Sequence, residues 1–224
     1  MEMLSNEDYA KAFHEIKNSI TIVNSSMQLL GKGHPELTDD ELWLDSMNAL
    51  DHLKQMVQEL SQARLSTSFP LHPTNLNTLL INIRASFQSV VNTEGCTFQT
   101  CIADNLPLVD ADAMRLTHAI MNLLKNAFES MHMKGTVLLD AYRQNDSVRI
   151  DITDFGGGIA PEYISSLFIP FFTSKTEGTG LGLCITKQII KSHNGILDFV
   201  SRPGDGCTFS IILPVSATQT ITQK

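Results

Sequence analysis

Gly178-Thr179-Gly180-Leu181-Gly182-Leu183 is a run of alternating glycines that opens straight into an apolar-periodic segment ending near Ser192. The spacing predicts a helix from Gly180 to Ser192 whose first turn is glycine-rich. Backbone N–H groups at such a start can cradle phosphate, aided by the helix dipole. The run is neither the GxxxxGK[ST] of a Walker loop nor the GxGxxG of a dinucleotide fold. Just upstream, Phe168-Ile169-Pro170-Phe171-Phe172-Thr173-Ser174-Lys175 sets aromatic bulk beside this glycine-bounded segment. Those phenylalanines read chiefly as core.

Outward from this stretch the pattern is mixed α and β. Strands are expected at Thr97–Ile102, Thr136–Arg143, Ser147–Thr153, Ile196–Ser201 and Cys207–Leu213. Two of the connections are hairpins, one around Gln144-Asn145-Asp146 and one through Pro203-Gly204-Asp205-Gly206. Helices are expected from about Asn75 to Val91 and from an Asp112 cap to about Met131. Hairpin-joined strands with helices grouped between them favour a two-layer α/β sandwich over a doubly wound sheet.

The N-terminal quarter is different. Apolar residues recur at Tyr9, Phe13, Ile16, Ile20, Val23, Met27 and Leu30, a heptad seam on one long helix. Ser5-Asn6 starts it, and Gly31-Lys32-Gly33 with Pro35 ends it. Thr38-Asp39-Asp40-Glu41 reads as a capping box opening a second helix, with a seam through Trp43, Ser46, Leu50, Leu53, Val57 and Leu60. A lone hairpin cannot cover both of its seams, so pairing with a second copy into a four-helix bundle is expected. The divisions expected are a hairpin over 1–65, a linker over 66–73, a mixed domain over 74–215 and a polar tail over 216–224.

The chain has 224 residues, enough to bury a core without staples. No run approaches 18 apolar residues and the acidic N-terminus lacks an export signal, so neither a membrane span nor a signal peptide is expected. Four cysteines, Cys96, Cys101, Cys184 and Cys207, contain no CxxC pair, which argues for reduced thiols in a cytosol rather than zinc. Cys96 and Cys101 would face opposite sides of a strand. The net charge of −8 is concentrated in residues 1–65, which carry −6 of it. Basic clusters suited to nucleic acid are not evident.

Three further constellations carry chemistry. In His14-Glu15-Ile16-Lys17-Asn18 a zinc-protease reading fails, because Asn18 stands where the second histidine should. Helix geometry sets His14 and Asn18 on one face with Glu15 adjacent, so the imidazole can serve as a nucleophile if a base takes its other proton; alone, it is ordinary surface chemistry. Asn122 and Asn126 lie four apart on a helix, where Asn is a poor former. The pair can ligate hydrated magnesium, hold a water or simply make a polar face. Asp154-Phe155-Gly156-Gly157-Gly158 follows a strand; no HRD or VAIK element accompanies it, so this is not a eukaryotic-type protein kinase. Its glycines allow close approach of a flat ligand, Asp154 could accept from an exocyclic amine, and a plain glycine turn remains the alternative.

Taken in order, the set resembles the sensor histidine kinases of two-component systems. His14–Asn18 is similar to the H box of the HisKA type, Asn122–Ala127 to the N box, Asp154–Gly158 to the first glycine box, Phe168–Lys175 to the F box and Gly178–Leu183 to the second glycine box. The resemblance spans about residues 9 to 214. It implies a dimeric phosphotransfer hairpin followed by the Bergerat ATP-binding sandwich shared with HSP90, DNA gyrase B and MutL proteins. It implies that His14 accepts the γ-phosphoryl group of ATP, Glu15 acts as base and Asn18 orients water in the reverse, phosphatase reaction. Asn126 would ligate Mg2+ with Asn122 in support, and Asp154 would read the adenine amine with Gly156 and Gly158 giving room. Thr179, Gly180, Leu181 and Gly182 would line the phosphates, with Lys175 as a further contact.

The partners implied are a second copy of the chain and a response-regulator receiver domain, in the cytoplasm; a separate sensor protein joins them if the chain is a small kinase that takes its signal from another protein. Ser19 replaces the proline common after the H-box Asn, so a kinked helix is not expected. Glu129 stands where many members carry a basic residue. The short run between Lys175 and Gly178 is similar to the compact lids of nitrogen-regulation and sporulation kinases. Two alternatives stay open: a small kinase or the core of a larger sensor, and an active kinase or a catalytically weak phosphotransfer or regulatory ATP-binding module.

Overall fold

A computed structural model describes residues 6–64, 70–91, 96–132, 134–175 and 178–217, with side chains in the first helix from Glu15 onward and in the second to Val57 except Gln55. The expected helix cap at Ser5, the linker residues 66–69 and the tail beyond 217 lie outside the described residues, as does the His14 side chain. Packing divides the chain into two units, Met1–Leu65 with Phe171–Leu181, and Ser66–Pro170 with Gly182–Lys224.

In the first unit, α1 (Asn6–Gly33) and α2 (Glu41–Arg64) are joined through a 3-10 turn at Pro35–Leu37. Gly31 is small because Trp43 lies against it; a Cβ there would come within 2.9 Å of the indole. Further along, Lys54 Nζ donates to Asn24 Oδ1 at 2.7 Å, and Ile20, Leu50 and Val57 form a buried cluster. Partners thus descend on one helix as they ascend on the other, the mark of an antiparallel hairpin. The cap of α2 is not the expected Thr38 but Asp40, whose Oδ1 accepts from the backbone N–H of Leu42 at 2.9 Å and Trp43 at 3.3 Å. Thr38 is spent on the preceding turn, donating its hydroxyl to the Pro35 carbonyl at 2.7 Å. Much of the apolar seam stays in water: Ile16, Val23, Leu30 and Leu53 are 44–50% exposed.

In the second unit, five strands form a mixed sheet in the order β2-β4-β5-β7-β6. They are β2 (Cys96–Ile102), β4 (Gly135–Gln144), β5 (Ser147–Asp154), β6 (Ile196–Arg202) and β7 (Gly206–Pro214). Among the described strands of this sheet, only the β2–β4 pair is parallel. The period-two pleat sends Val148, Ile150 and Ile152 inward, and the same alternation carries Asp154 to the core side at the strand's end. As expected, Cys96 is buried and Cys101 exposed; all four thiols are free.

Three helices pack with this sheet: α3 (Leu76–Val91), α4 (Ala113–Ser130) and α5 (Gly182–Ser192). The α4 stripe Leu116, Ile120, Leu123, Leu124 and Phe128 is buried, as its 3.6-residue spacing requires. Phe87 of α3 meets Phe98 of β2 edge to face at 4.9 Å and Phe128 at 6.3 Å. Asp112 caps α4 as expected, accepting from the N–H groups of Met114 and Arg115.

Three differences from the sequence reading have local causes. Helix α5 starts at Gly182 rather than Gly180, because Gly180 has φ +66 and cannot take a right-handed helical turn. A short antiparallel pair, β1 (His72–Thr74) and β3 (Val109–Ala111), was not anticipated; three residues containing Pro73 carry no readable alternation. Phe171 is 56% exposed with φ +66 instead of belonging to the core, whereas Phe168 packs on Phe199 at 6.0 Å beneath the Lys187 ammonium.

Candidate functional site

Asp154 ends β5 on the helix-facing side of the sheet, where it is 5% exposed. One carboxylate oxygen accepts the Gly156 N–H at 3.0 Å, turning the chain into the glycine loop. That loop is clasped from two sides. A Cβ on Gly156 would lie 2.8 Å from the Ser130 carbonyl at the end of α4, and one on Gly158, at φ +68, would strike the Arg202 carbonyl of the β6–β7 turn. The Gly204 N–H donates to the Gly157 carbonyl at 2.9 Å, and the Ile159 N–H to Ser201 Oγ at 2.8 Å.

Cys207 faces Asp154 across the β5–β7 ladder. Burial pushes its thiol up to about 12, the Asp154 charge adds to the rise, and a hydrogen bond with Ser201 opposes it. The thiol therefore stays protonated at neutral pH, a small apolar wall beside the carboxylate.

On α4, the Asn122 carboxamide turns toward α5. Its Nδ2 donates to Thr186 Oγ1 at 2.9 Å, and its Oδ1 lies so near Gly182 that a Cβ there would sit 2.5 Å from it. This contact explains why an interior helical position carries Asn and why the first residue of α5 is glycine. Asn126, one turn on, is half-buried on the same helix. Its carboxamide oxygen is a hard neutral donor of the kind Mg2+ accepts.

Segment Phe171–Leu181 has its own frame. Phe171 and Gly180 both have φ +66, and the Phe171 N–H donates to the Gly180 carbonyl at 3.0 Å. Thr179 is buried and its hydroxyl accepts the Leu181 N–H at 3.3 Å; Leu181 is buried as well. The Lys175 N–H donates to Thr173 Oγ1 at 3.0 Å, and Lys175 is exposed. On the hairpin, His14 lies on α1 one turn before Asn18; Glu15 and Asn18 are both exposed. The Ser19 hydroxyl donates back to the Glu15 carbonyl at 2.9 Å.

Of the residues picked from sequence, the fold thus brings together Asn122 with Gly182, and Asp154 with Gly156. Four other residues shape these places without having been singled out: Ser130, Ser201 and Arg202 around the loop, and Thr186 against Asn122. Only Thr186 left a trace in sequence, standing four residues after Gly182 on the helix face that carries its first turn.

Residues 111–217 match the family described as histidine kinase-, DNA gyrase B- and HSP90-like ATPases. Over 207 residues the chain is 31% identical to the sensor histidine kinase ZraS of Escherichia coli (strain K12), covering 92% of this chain and 44% of that protein. The chain spans less than half the length of the curated relatives it matches. Full-length ShkA, solved in complex with AMPPNP, shares the fold at TM-score 0.78 and 24% identity, over 95% of this chain and 46% of that one. Histidine kinase ThkA, solved in complex with response regulator protein TrrA, aligns at TM-score 0.66 and 25% identity, over 94% of this chain and 61% of that one.

Proposed function

We propose, from the premise that this chain is a homologue of the sensor histidine kinases and carries their type of ATPase domain at residues 111–217, that it is an ATP-dependent kinase phosphorylating its own His14. The observation that carries the reading is Asp154: a carboxylate on the core side of β5, held by its own glycine loop between Ser130 and the β6–β7 turn. A buried acceptor at the mouth of such a loop suits the exocyclic amine of adenine.

Asn126 would hold Mg2+, which when bound neutralises phosphate charge. Asn122 supports that place by fixing α5 against α4. Thr179, Gly180, Leu181 and Gly182 would line the phosphates, with Lys175 as a counter-charge. In the transfer, a ring nitrogen of His14 attacks the γ-phosphorus while the bond to the β-phosphate oxygen breaks and ADP leaves. Glu15 accepts the proton from the other ring nitrogen. The phosphoryl group then passes to an aspartate of a response-regulator receiver domain, as the ThkA–TrrA pairing suggests for this chain. The aspartate's carboxylate oxygen attacks phosphorus as the bond to the His14 nitrogen breaks and the imidazole regains a proton. Asn18 would orient the water that reverses that modification.

The exposed seam at Ile16, Val23, Leu30 and Leu53 supports dimerisation through the hairpin into a four-helix bundle. The proposed division is phosphotransfer hairpin 1–65, linker 66–73, ATP-binding domain 74–215 and tail 216–224. Among the described residues no helix is long and apolar enough to cross a membrane. We place its activity in the cytoplasm, where ATP is available.

Incubation with γ-labelled ATP and Mg2+ tests the reading. Wild type should take up label that survives base and is lost in acid, His14→Gln should take up none, and Asn126→Ala should lose Mg-dependent nucleotide binding. Unlabelled wild type that still binds nucleotide would instead indicate a regulatory ATP-binding module.

A further inference from the structure

His193, at the C-terminal end of α5, is 1% exposed and has no part in the reaction described above. Its Nε2 lies 3.0 Å from the backbone nitrogen of Asp112, which can only donate. Its Nδ1 lies 2.7 Å from the carbonyl oxygen of Ile189, which can only accept. The two contacts together require the neutral tautomer with its proton on Nδ1.

The donor served by Nε2 is unusual. Asp112 is the N-cap of α4, and its side chain is occupied with the N–H groups of Met114 and Arg115. In a capping box the cap residue's own N–H is satisfied by a Glu or Gln three residues on. Here that position is Arg115, which has no acceptor to offer. The acceptor comes from another helix, 81 positions away in sequence.

The contact is also the far end of a pairing that reaches the site. Helices α4 and α5 run antiparallel, tied at one end by His193 to Asp112 and at the other by Thr186 and Gly182 to Asn122. Between the ties lie 10 positions on α4 (112 to 122) and 7 to 11 along α5 to its cap (186 or 182 to 193), so both ties fix one stretch of the α4–α5 contact. A slip of one helix at the His193 end must therefore displace Gly182 against Asn122, and Asn126 with it.

We propose that His193 is a positioning residue for the nucleotide site, acting through the register of α5 on α4. The role rests on the nucleotide reading given above. The test is binding of AMPPNP with Mg2+ to the whole chain, measured for wild type, His193→Phe and His193→Gln beside their thermal melts.

Phenylalanine keeps a planar ring, though a larger one, and leaves the Asp112 N–H unmatched; the melt should drop, and with the α4–α5 register loosened affinity should fall about tenfold. Glutamine can accept from Asp112 and donate to Ile189, and should restore affinity to within about threefold of wild type. No binding by wild type would overturn the nucleotide reading itself. Binding by wild type and His193→Phe alike, with only the melt lowered, would overturn the positioning role, and so would a glutamine variant as weak as the phenylalanine one. Should His193→Phe fail to fold, a long-range proton–nitrogen correlation spectrum of the wild type decides: the proton must sit on Nδ1, and a proton on Nε2 overturns the proposal.

Discussion

Asp140 and Asp154 stand on adjacent strands of one sheet, and the pleat sends them to opposite sides. Asp154 reaches the helix-facing core side and accepts from its own loop. Asp140 points to the other face, directly across from Asp151 in the β4–β5 ladder. Asp151 already has Arg149 at 2.8 Å and the Tyr142 hydroxyl at 3.0 Å. Partial burial, and secondarily the Asp151 charge, push the Asp140 carboxyl up. An acid whose folded pKa is raised binds its proton more tightly when folded, so its charge costs stability above that pKa and nothing below the unfolded value near 4. Asp140→Asn should therefore raise the urea midpoint at pH 7 and lose that advantage at pH 3. Equal midpoints at neutral pH would refute the assigned cost. The alternation that separates the two aspartates was legible in sequence; the cross-strand pairing of Asp140 with Asp151 needed the register.

At the scale of elements, the glycine loop and α5 are shaped by what lies against them. Gly157 and Gly158 are neighbours with opposite surroundings. A Cβ on Gly157 meets nothing within 4 Å, whereas Gly158 has φ +68 and the Arg202 backbone pressed against it. Left-handed backbone alone costs an L side chain about 1–2 kcal/mol, and a backbone carbonyl cannot swing aside as a flexible side chain could. Gly158→Ala should lower the melting temperature by several degrees and weaken nucleotide binding, while Gly157→Ala stays close to wild type. Similar behaviour of the two variants would contradict the clasp by the β6–β7 turn. The glycine-rich composition of this loop was readable, as was the turn at Pro203–Gly206. That the turn packs on the loop was not, because 42 positions separate Ser201 from Ile159. The capping of α2 shows a subtler limit: Thr38 and Asp40 both satisfy the compositional rule, and the 3-10 turn at Pro35–Leu37 takes Thr38 for itself.

At the scale of the molecule, the hairpin leaves an apolar seam that its own fold does not cover. Ile16, Val23 and Leu30 follow heptad spacing along α1 and remain close to half exposed. Burying one such side chain contributes about 1.5–3 kcal/mol, so several together can hold two copies. Val23→Glu combined with Leu30→Glu should convert a dimer to a monomer in sedimentation while leaving nucleotide binding intact. A dimer that persists would place the interface elsewhere.

The amino-acid sequence by itself determined the long helices of the hairpin, the α/β character of the remainder and the order of the motifs. Each of these rests on interactions within a few residues: heptad and period-two spacing, a helix cap at Asp112, glycines where the backbone must turn. Tertiary structure alone decided that Asn122 is tied to Thr186 across 64 positions and that Asp112 receives its acceptor from His193 across 81. It also decided that Ser130 and Arg202 bound the loop after Asp154. Those contacts join segments whose patterns are each complete in themselves. Only the packing of α4 against α5 and of β7 beside β5 brings them within hydrogen-bond or van der Waals reach.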